Sequence, residues 1–228
     1  MILVLKSFLD FLLPRFCFNC STKLTPRESL FCSSCRFKIA RVSPERLTRE
    51  FERKFEADKL ISGFRSLYLF ETGGAVQNAI HQMKYGNVFL IGSILGKSVA
   101  RELKEYIEEW NADFVAPVPI HKLRRAERGY NQSFYLARGI ASETGIKFMP
   151  RLIKRKRYTS TQTALNLAER KLNVKDAFLF NRRKDVAGKV IILVDDVITT
   201  GSTISECAKI LLDNGALRIY ALSAALAE

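Results

Sequence analysis

Apolar and polar positions change rhythm several times along the chain. Ile2 to Leu13 are strongly apolar, interrupted by Lys6 and Asp10 and stopped by Pro14. Lys6 and Asp10 lie one helical turn apart and share a face with Ser7, which predicts an amphipathic helix. The run is too short for a bilayer-crossing helix, which needs about 20 residues. No small-residue cleavage site follows it, which argues against a signal peptide. It reads as a helix docked on the main domain or on a second copy, with membrane contact by residues 2–13 as the alternative. Arg41 to Lys59 mixes charges of both signs with little apolar periodicity, the pattern of a linker or an exposed helix. From Phe64 to Phe70 the alternation predicts a strand, and Gly73-Gly74 opens a helix through Lys84. Apolar residues at three- and four-residue steps predict one long helix from Val88 to Glu109. Asp113 to Val118 reads as a short buried strand, and Tyr130 to Thr144 as a helix ended by Gly145. Lys189 to Val194 is a continuous apolar strand, Ser202 to Asn214 a helix, and Leu217 to Ser223 a final strand. Strands alternating with helices imply an α/β fold, a mostly parallel sheet covered on both faces. The boundaries expected are an apolar helix plus cysteine module over 1–40, a charged linker over 41–62, and the α/β domain over 63–228.

Composition narrows the class. Of 228 residues, 47% are hydrophobic and 26% charged, which excludes a disordered chain, a collagen and a polytopic membrane protein. Against 23 acidic residues stand 37 Lys and Arg, a net charge of +14. That surplus points to a polyanion: nucleic acid, a phosphate-rich ligand or an acidic membrane face.

Four of the five cysteines form two CxxC pairs, Cys17 with Cys20 and Cys32 with Cys35, eleven residues apart. Each two-residue spacer lets a tight turn aim both sulfurs at one point, so the four suit one tetrahedral Zn²⁺. So short a segment has little core, and metal binding would supply its folding free energy. Two disulfides or redox-active pairs are the alternatives. A zinc site favours a reducing, cytoplasmic location. Cys207 lies apart and reads as a small buried apolar residue. His81 and His121 have no partner at metal or triad spacing, and Trp110 reads as core.

The richest segment runs from Val190 through Asp195-Asp196 to Thr199-Thr200-Gly201-Ser202-Thr203. A buried strand ends in two acids, and a Thr/Gly/Ser loop then opens a helix. Such a loop can turn N–H groups and hydroxyls toward one phosphate at a helix N-terminus. The acids would be repelled by a phosphate in contact. One sugar away they can accept from ribose hydroxyls and help hold Mg²⁺. The chemistry reads as ribose 5-phosphate, the alternative being two aspartates that merely cap a helix.

This segment resembles the signature of type I phosphoribosyltransferases, which recognise phosphoribosyl pyrophosphate (PRPP). Ala116-Pro-Val-Pro-Ile-His-Lys-Leu-Arg-Arg-Ala-Glu-Arg-Gly-Tyr-Asn-Gln132, Arg155 through Gln162, Leu165, Arg170, Asn173 and Lys84-Tyr85-Gly86 resemble the ComF family of competence proteins, as does the four-cysteine ribbon. The resemblance implies a type I phosphoribosyltransferase fold with a small N-terminal zinc ribbon. One departure is that only one four-cysteine set is visible where some relatives have more ribbon cysteines. For PRPP the resemblance implies Asp195, Asp196 and the Thr199, Thr200, Gly201, Ser202, Thr203 loop, with Mg²⁺ reached by the two acids through the ligand. Arg128, Gly129, Asn131 and Gln132, in a loop from Pro119, would hold the pyrophosphate. Arg155, Thr159, Gln162 and Arg170 would belong to a mobile loop closing over it. Lys84 reads as a helix C-terminal cation, with phosphate contact as the alternative.

The family is implicated in natural transformation, which implies single-stranded DNA as a partner and a competence helicase or other DNA-processing protein as another. Lys122, Arg124 and Arg125, then Lys154, Lys156 and Arg157, are the candidate DNA-binding residues. Tyr130 and Tyr158 lie beside them as base-stacking platforms. The alternatives are an active phosphoribosyltransferase with an unidentified acceptor and a non-catalytic PRPP sensor.

Overall fold

The computed structural model describes residues 14–86, 88–158 and 176–227. The apolar run 2–13 and Thr159, Gln162, Leu165, Arg170 and Asn173 lie outside them. At the centre is β6 (Val190–Ile198), which opens with the apolar run and continues past Asp195-Asp196 to Ile198, flanked by β7 (Arg218–Leu226) and β2 (Phe114–Pro117). With β1 (Gly63–Leu69) and β3 (Lys147–Phe148) these make a five-stranded sheet in the order β1-β7-β6-β2-β3, every pair parallel. Alternate residues of β6 enter two different cores. Ile192 and Val194 join one, Ile191 and Leu193 the other. A strand apolar at every position is what a sheet covered on both faces requires.

The first face is covered by α3 (Ala75–Tyr85), α4 (Phe89–Glu102) and α7 (Gln132–Thr144), which bury Ile80, Met83, Leu95 and Ile140. Helices α4 and α7 touch almost backbone to backbone. A Cβ on Gly96 would lie 2.1 Å from the Leu136 carbonyl oxygen, and one on Gly139 2.3 Å from that of Ser93. The second face is covered by α8 (Ser202–Asp213), which buries Ile204, Cys207 and Leu211.

Before the sheet come α1 (Ser33–Lys38) and α2 (Pro44–Phe51), the latter capped by Ser43 Oγ and continued by a π-helical turn, Glu52–Glu56. The mixed-charge segment is thus helical, and its Phe55 is 1% exposed inside the second core. The ribbon packs Leu24, Leu30 and Phe31 into the first core. Arg36 and Arg41 both reach Glu102 of α4 at 2.9 Å.

Two local expectations are corrected, and one element is added. The helix expected from Val88 to Glu109 breaks at Leu103 into α4 and α5 (Lys104–Glu109); beyond the break Ile107 is buried and Trp110 stacks on Tyr220 at 4.6 Å. The basic loop from Pro119 contains a helix, α6 (Lys122–Arg128), because His121 Nδ1 accepts from the Leu123 N–H and left-handed Gly129 ends it. Helical periodicity was hidden there by an almost wholly polar composition. A small antiparallel pair, β4 (Ile153–Arg155) with β5 (Phe178–Phe180), is too short to show any period in the sequence.

Candidate functional site

Asp195 and Asp196 lie near the C-terminal end of the central strand, which runs on through Val197 and Ile198, with Asp195 opposite Ser223 of β7. Asp195 Oδ1 accepts from Ser133 Oγ at 2.8 Å and from the Asp196 N–H at 2.9 Å. Asp196 Oδ1 accepts from the Val197 N–H at 2.8 Å. Its Oδ2 is buried, takes no well-directed hydrogen bond, and is compensated by an ion pair with Lys84 Nζ at 2.9 Å. Burial, then the charge of Asp196, pushes the Asp195 carboxyl up to about 7. For Asp196, burial acts in the same direction but the Lys84 ammonium outweighs it, and the group is held below its ordinary value. The environments therefore push two adjacent carboxyls apart, a pattern that clusters at functional sites.

Lys84 is the C-terminal cation of α3, and the structure gives it a specific partner. Beside it Tyr85 is 64% exposed, with the Arg128 guanidinium 5.7 Å from its ring centroid. Arg128 Nη1 donates to Gln132 Oε1 at 3.3 Å, while the buried Gln132 Nε2 has no partner among the described residues. Asn131 caps α7: its side-chain oxygen accepts from the Ser133 N–H, and Nδ2 donates to the Val118 carbonyl at 2.9 Å. Gly129, in left-handed conformation at φ +74°, turns the chain between Arg128 and this cap.

Below the acids, Gly201 adopts φ +77° at the start of α8. A Cβ there would lie 2.6 Å from the Phe55 ring, so the position is closed to other residues by conformation and by space. Thr200 and Ser202 share a hydroxyl hydrogen bond of 2.8 Å, and Thr203 lies in the first helical turn. Lys54 of the π-helical turn donates to the Thr199 carbonyl and pairs with Glu50 at 2.7 Å.

The structure thus assembles Lys84, Arg128, Gln132, Ser133, Asp195 and Asp196 around the strand end, with the 199–203 loop beside them. Arg155 stands on β4, opposite Phe178, instead of on a loop, its guanidinium 5.3 Å from that ring. Lys122, Arg124 and Arg125 lie on α6; Lys154 is on β4, and Lys156 and Arg157 follow it. Tyr158 joins the two groups, with Arg124 6.0 Å from its ring and His121 5.2 Å away. Tyr130, by contrast, donates its hydroxyl to the Met83 carbonyl and packs among Phe89 and Tyr135. Ser133 and Lys54 went unnoticed in the sequence. A serine inside a helix and a lysine in a charge run carry no periodic signal. The only available cue for Ser133 was its place two residues after a capping asparagine.

The four cysteine sulfurs lie within 4.8 Å of one another, Cys20 and Cys32 at 3.6 Å. A tetrahedral zinc–thiolate centre with bonds of ~2.3 Å places sulfurs about 3.8 Å apart, so the set fits a metal such as zinc. The Cys32 N–H and Asn19 Nδ2 point to Cys17 and Cys35 sulfurs at 3.4 Å, the outer support a thiolate ligand needs. The Thr22 hydroxyl and backbone N–H lower the Cys20 thiol to about 6.

Residues 130–226 match the phosphoribosyl transferase domain family. Competence protein F of Haemophilus influenzae is 33% identical over 136 residues, 58% of this chain and 59% of that protein. The DNA utilization protein YhgH of Escherichia coli K12 is 34% identical over 61% of the chain and 62% of the relative. Competence protein ComFC of Streptococcus pneumoniae is 27% identical over 86% of the chain and 87% of that protein. The chain therefore spans about three-fifths of the first two relatives. Among solved structures, glutamine PRPP amidotransferase from B. subtilis overlaps 58% of this chain and 25% of its own, with 25% identity and a TM-score of 0.39.

Proposed function

We propose that the chain is a ComF-family protein that binds PRPP with Mg²⁺ and single-stranded DNA, acting in the cytoplasm in DNA uptake during natural transformation; its similarity to the competence and DNA utilization proteins and to the phosphoribosyl transferase domain supports this reading. The observation that carries the reading is the end of β6. A half-buried and a buried carboxyl, shifted in opposite directions, stand between an anion-cradling loop and the cations Lys84 and Arg128. A ribose placed over the acids would send its 5-phosphate to Thr199–Thr203 and its pyrophosphate toward Arg128 and Gln132, whose buried amide Nε2 has no acceptor among the described residues.

Carboxylate oxygens are the donors Mg²⁺ prefers, and Asp195 and Asp196 would supply them. Bound there with the ligand, the ion would neutralise phosphate charge. For the four sulfurs zinc is the occupant proposed, and metal analysis returning well under one zinc per chain would refute it. The basic face formed by α6 and the 154–157 segment would track a nucleic-acid backbone, with Tyr158 as a stacking surface. No helix among the described residues is long and apolar enough to cross a membrane. The match of residues 130–226 to the phosphoribosyl transferase domain family supports a second reading: the same site transfers ribose 5-phosphate to an acceptor.

Calorimetric titration with PRPP and Mg²⁺, in parallel with single-stranded DNA at two salt concentrations, tests both halves. Micromolar PRPP binding and salt-sensitive DNA binding are expected. DNA binding without PRPP binding would reduce the domain to a nucleic-acid scaffold, and PRPP binding without DNA binding would remove the nucleic-acid role.

A further inference from the structure

We propose that Lys54, in the π-helical turn ahead of the sheet, is a positioning residue that sets the phosphate loop in its anion-accepting orientation. The inference rests on the reading of Thr199–Thr203 as the cradle for a sugar 5-phosphate. Lys54 belongs to a segment whose sequence reads as a solvated charge run, yet its side chain is 3% exposed. Burying an ammonium is costly unless it is paired and hydrogen-bonded. Here the pairing is with Glu50 at 2.7 Å, and a second N–H goes to one backbone acceptor, the Thr199 carbonyl. That carbonyl is 145 residues away along the chain.

The geometry of a peptide group gives this contact a consequence. In a trans peptide the C=O of one residue and the N–H of the next point in opposite directions. A Thr199 carbonyl drawn inward onto Lys54 sends the Thr200 N–H outward, away from the core. The backbone–backbone hydrogen bonds of the described chain leave the N–H groups of Thr200 and Gly201 unused. With the peptide reversed, a carbonyl oxygen would face the anion and repel it. Phe55, the next residue, closes the same loop from below, its ring against Gly201. A π-helical turn departs from regular α-helix and is frequently found at functional sites; here it presents Lys54 and Phe55 together to one loop.

The test uses the whole chain and three probes: PRPP with Mg²⁺, ribose 5-phosphate, and pyrophosphate with Mg²⁺. Ribose 5-phosphate engages the loop, while pyrophosphate samples only the Arg128 end. Lys54→Met removes the donor and leaves Glu50 paired with Arg53 at 2.6 Å. Its affinity for ribose 5-phosphate and PRPP should fall at least tenfold, with pyrophosphate affinity unchanged. A merely structural lysine would weaken all three probes in step, and that result, like unchanged ribose 5-phosphate binding, overturns the proposal. Should the methionine variant not fold, Lys54→Gln, which keeps a shorter neutral donor, is read by the same split. Failure of wild-type protein to bind ribose 5-phosphate would overturn the phosphate-site reading itself, before any variant is compared.

Discussion

Asp195 and Asp196 sit at the end of a nine-residue central strand, held by Ser133, by Lys84 and by neighbouring backbone N–H groups. Lys122, Arg125, Lys154, Lys156 and Arg157 instead project into solvent from a seven-residue helix and from a three-residue strand and its continuation. The two regions carry opposite charge and are built in opposite ways. At the acidic end of the strand each carboxyl is positioned by partners at 2.8–2.9 Å, so geometry and ionisation are set before a ligand arrives. On the basic face the long side chains are exposed to solvent, which suits a backbone-tracking surface with little sequence preference. A buried site gains selectivity from what it would leave unpaired; an exposed one gains encounter rate and loses it to salt.

The sharpest way to separate them is Asp195→Asn with Asp196→Asn. Losing two charge-assisted acceptors for ribose hydroxyls, each worth ~1.5–3 kcal/mol, should weaken PRPP about a hundredfold or more by calorimetry. DNA affinity should stay the same or rise. Equal loss of both ligands in a folded double variant would erase the distinction. Next in size, Lys84→Met leaves Asp196 without its counter-charge in a largely buried pair. Breaking such a pair should cost about 2 kcal/mol of stability in urea melts, a little under the fully buried case.

The ionisation of Asp195 offers a smaller effect with a definite sign. Its carboxyl is raised from 3.8 to about 7, so the folded protein holds a proton that the unfolded chain releases. That contribution to stability is full below the unfolded value and is lost as pH rises through about 7. Asp195→Asn cannot ionise. It should therefore melt a few degrees above wild type near pH 8, the gap closing toward pH 4, by calorimetric scanning. A gap that widens on acidification would contradict the assignment. The smallest effects belong to the basic face. Lys122→Ala or Lys156→Ala should each lower the salt slope of single-stranded DNA binding by about 0.7, with melting temperature and PRPP affinity unchanged. A slope unaffected by both would remove these residues from the DNA path.

The same contrast explains how far the molecule could be read from its sequence. The apolar run before Asp195, the Thr/Gly/Ser loop after Asp196 and the CxxC spacings are local patterns whose physics is local. A strand apolar at every position needs cover on both faces, a glycine is wanted where φ is positive, and two tight turns converge four sulfurs. These patterns sufficed for the α/β class, the strand-end acids and the sulfur cluster. They gave no hint that α6 is a helix, because periodicity disappears when nearly every residue is polar and the signal rests on one histidine cap. Nor did they mark the break at Leu103, which lies within an apolar spacing that suits one long helix.

What the chain determined alone is therefore the chemistry available at each point: which residues can accept, donate, ligate or turn. Tertiary structure alone decided which of these meet. Lys84 finds Asp196 from 112 residues away, Ser133 finds Asp195 from 62, and Lys54 finds Thr199 from 145. No periodicity or spacing encodes such pairs, because they follow from parallel strands bringing distant helices to one end of the sheet. Once there, the cost of burying an unpaired charge selects the partner.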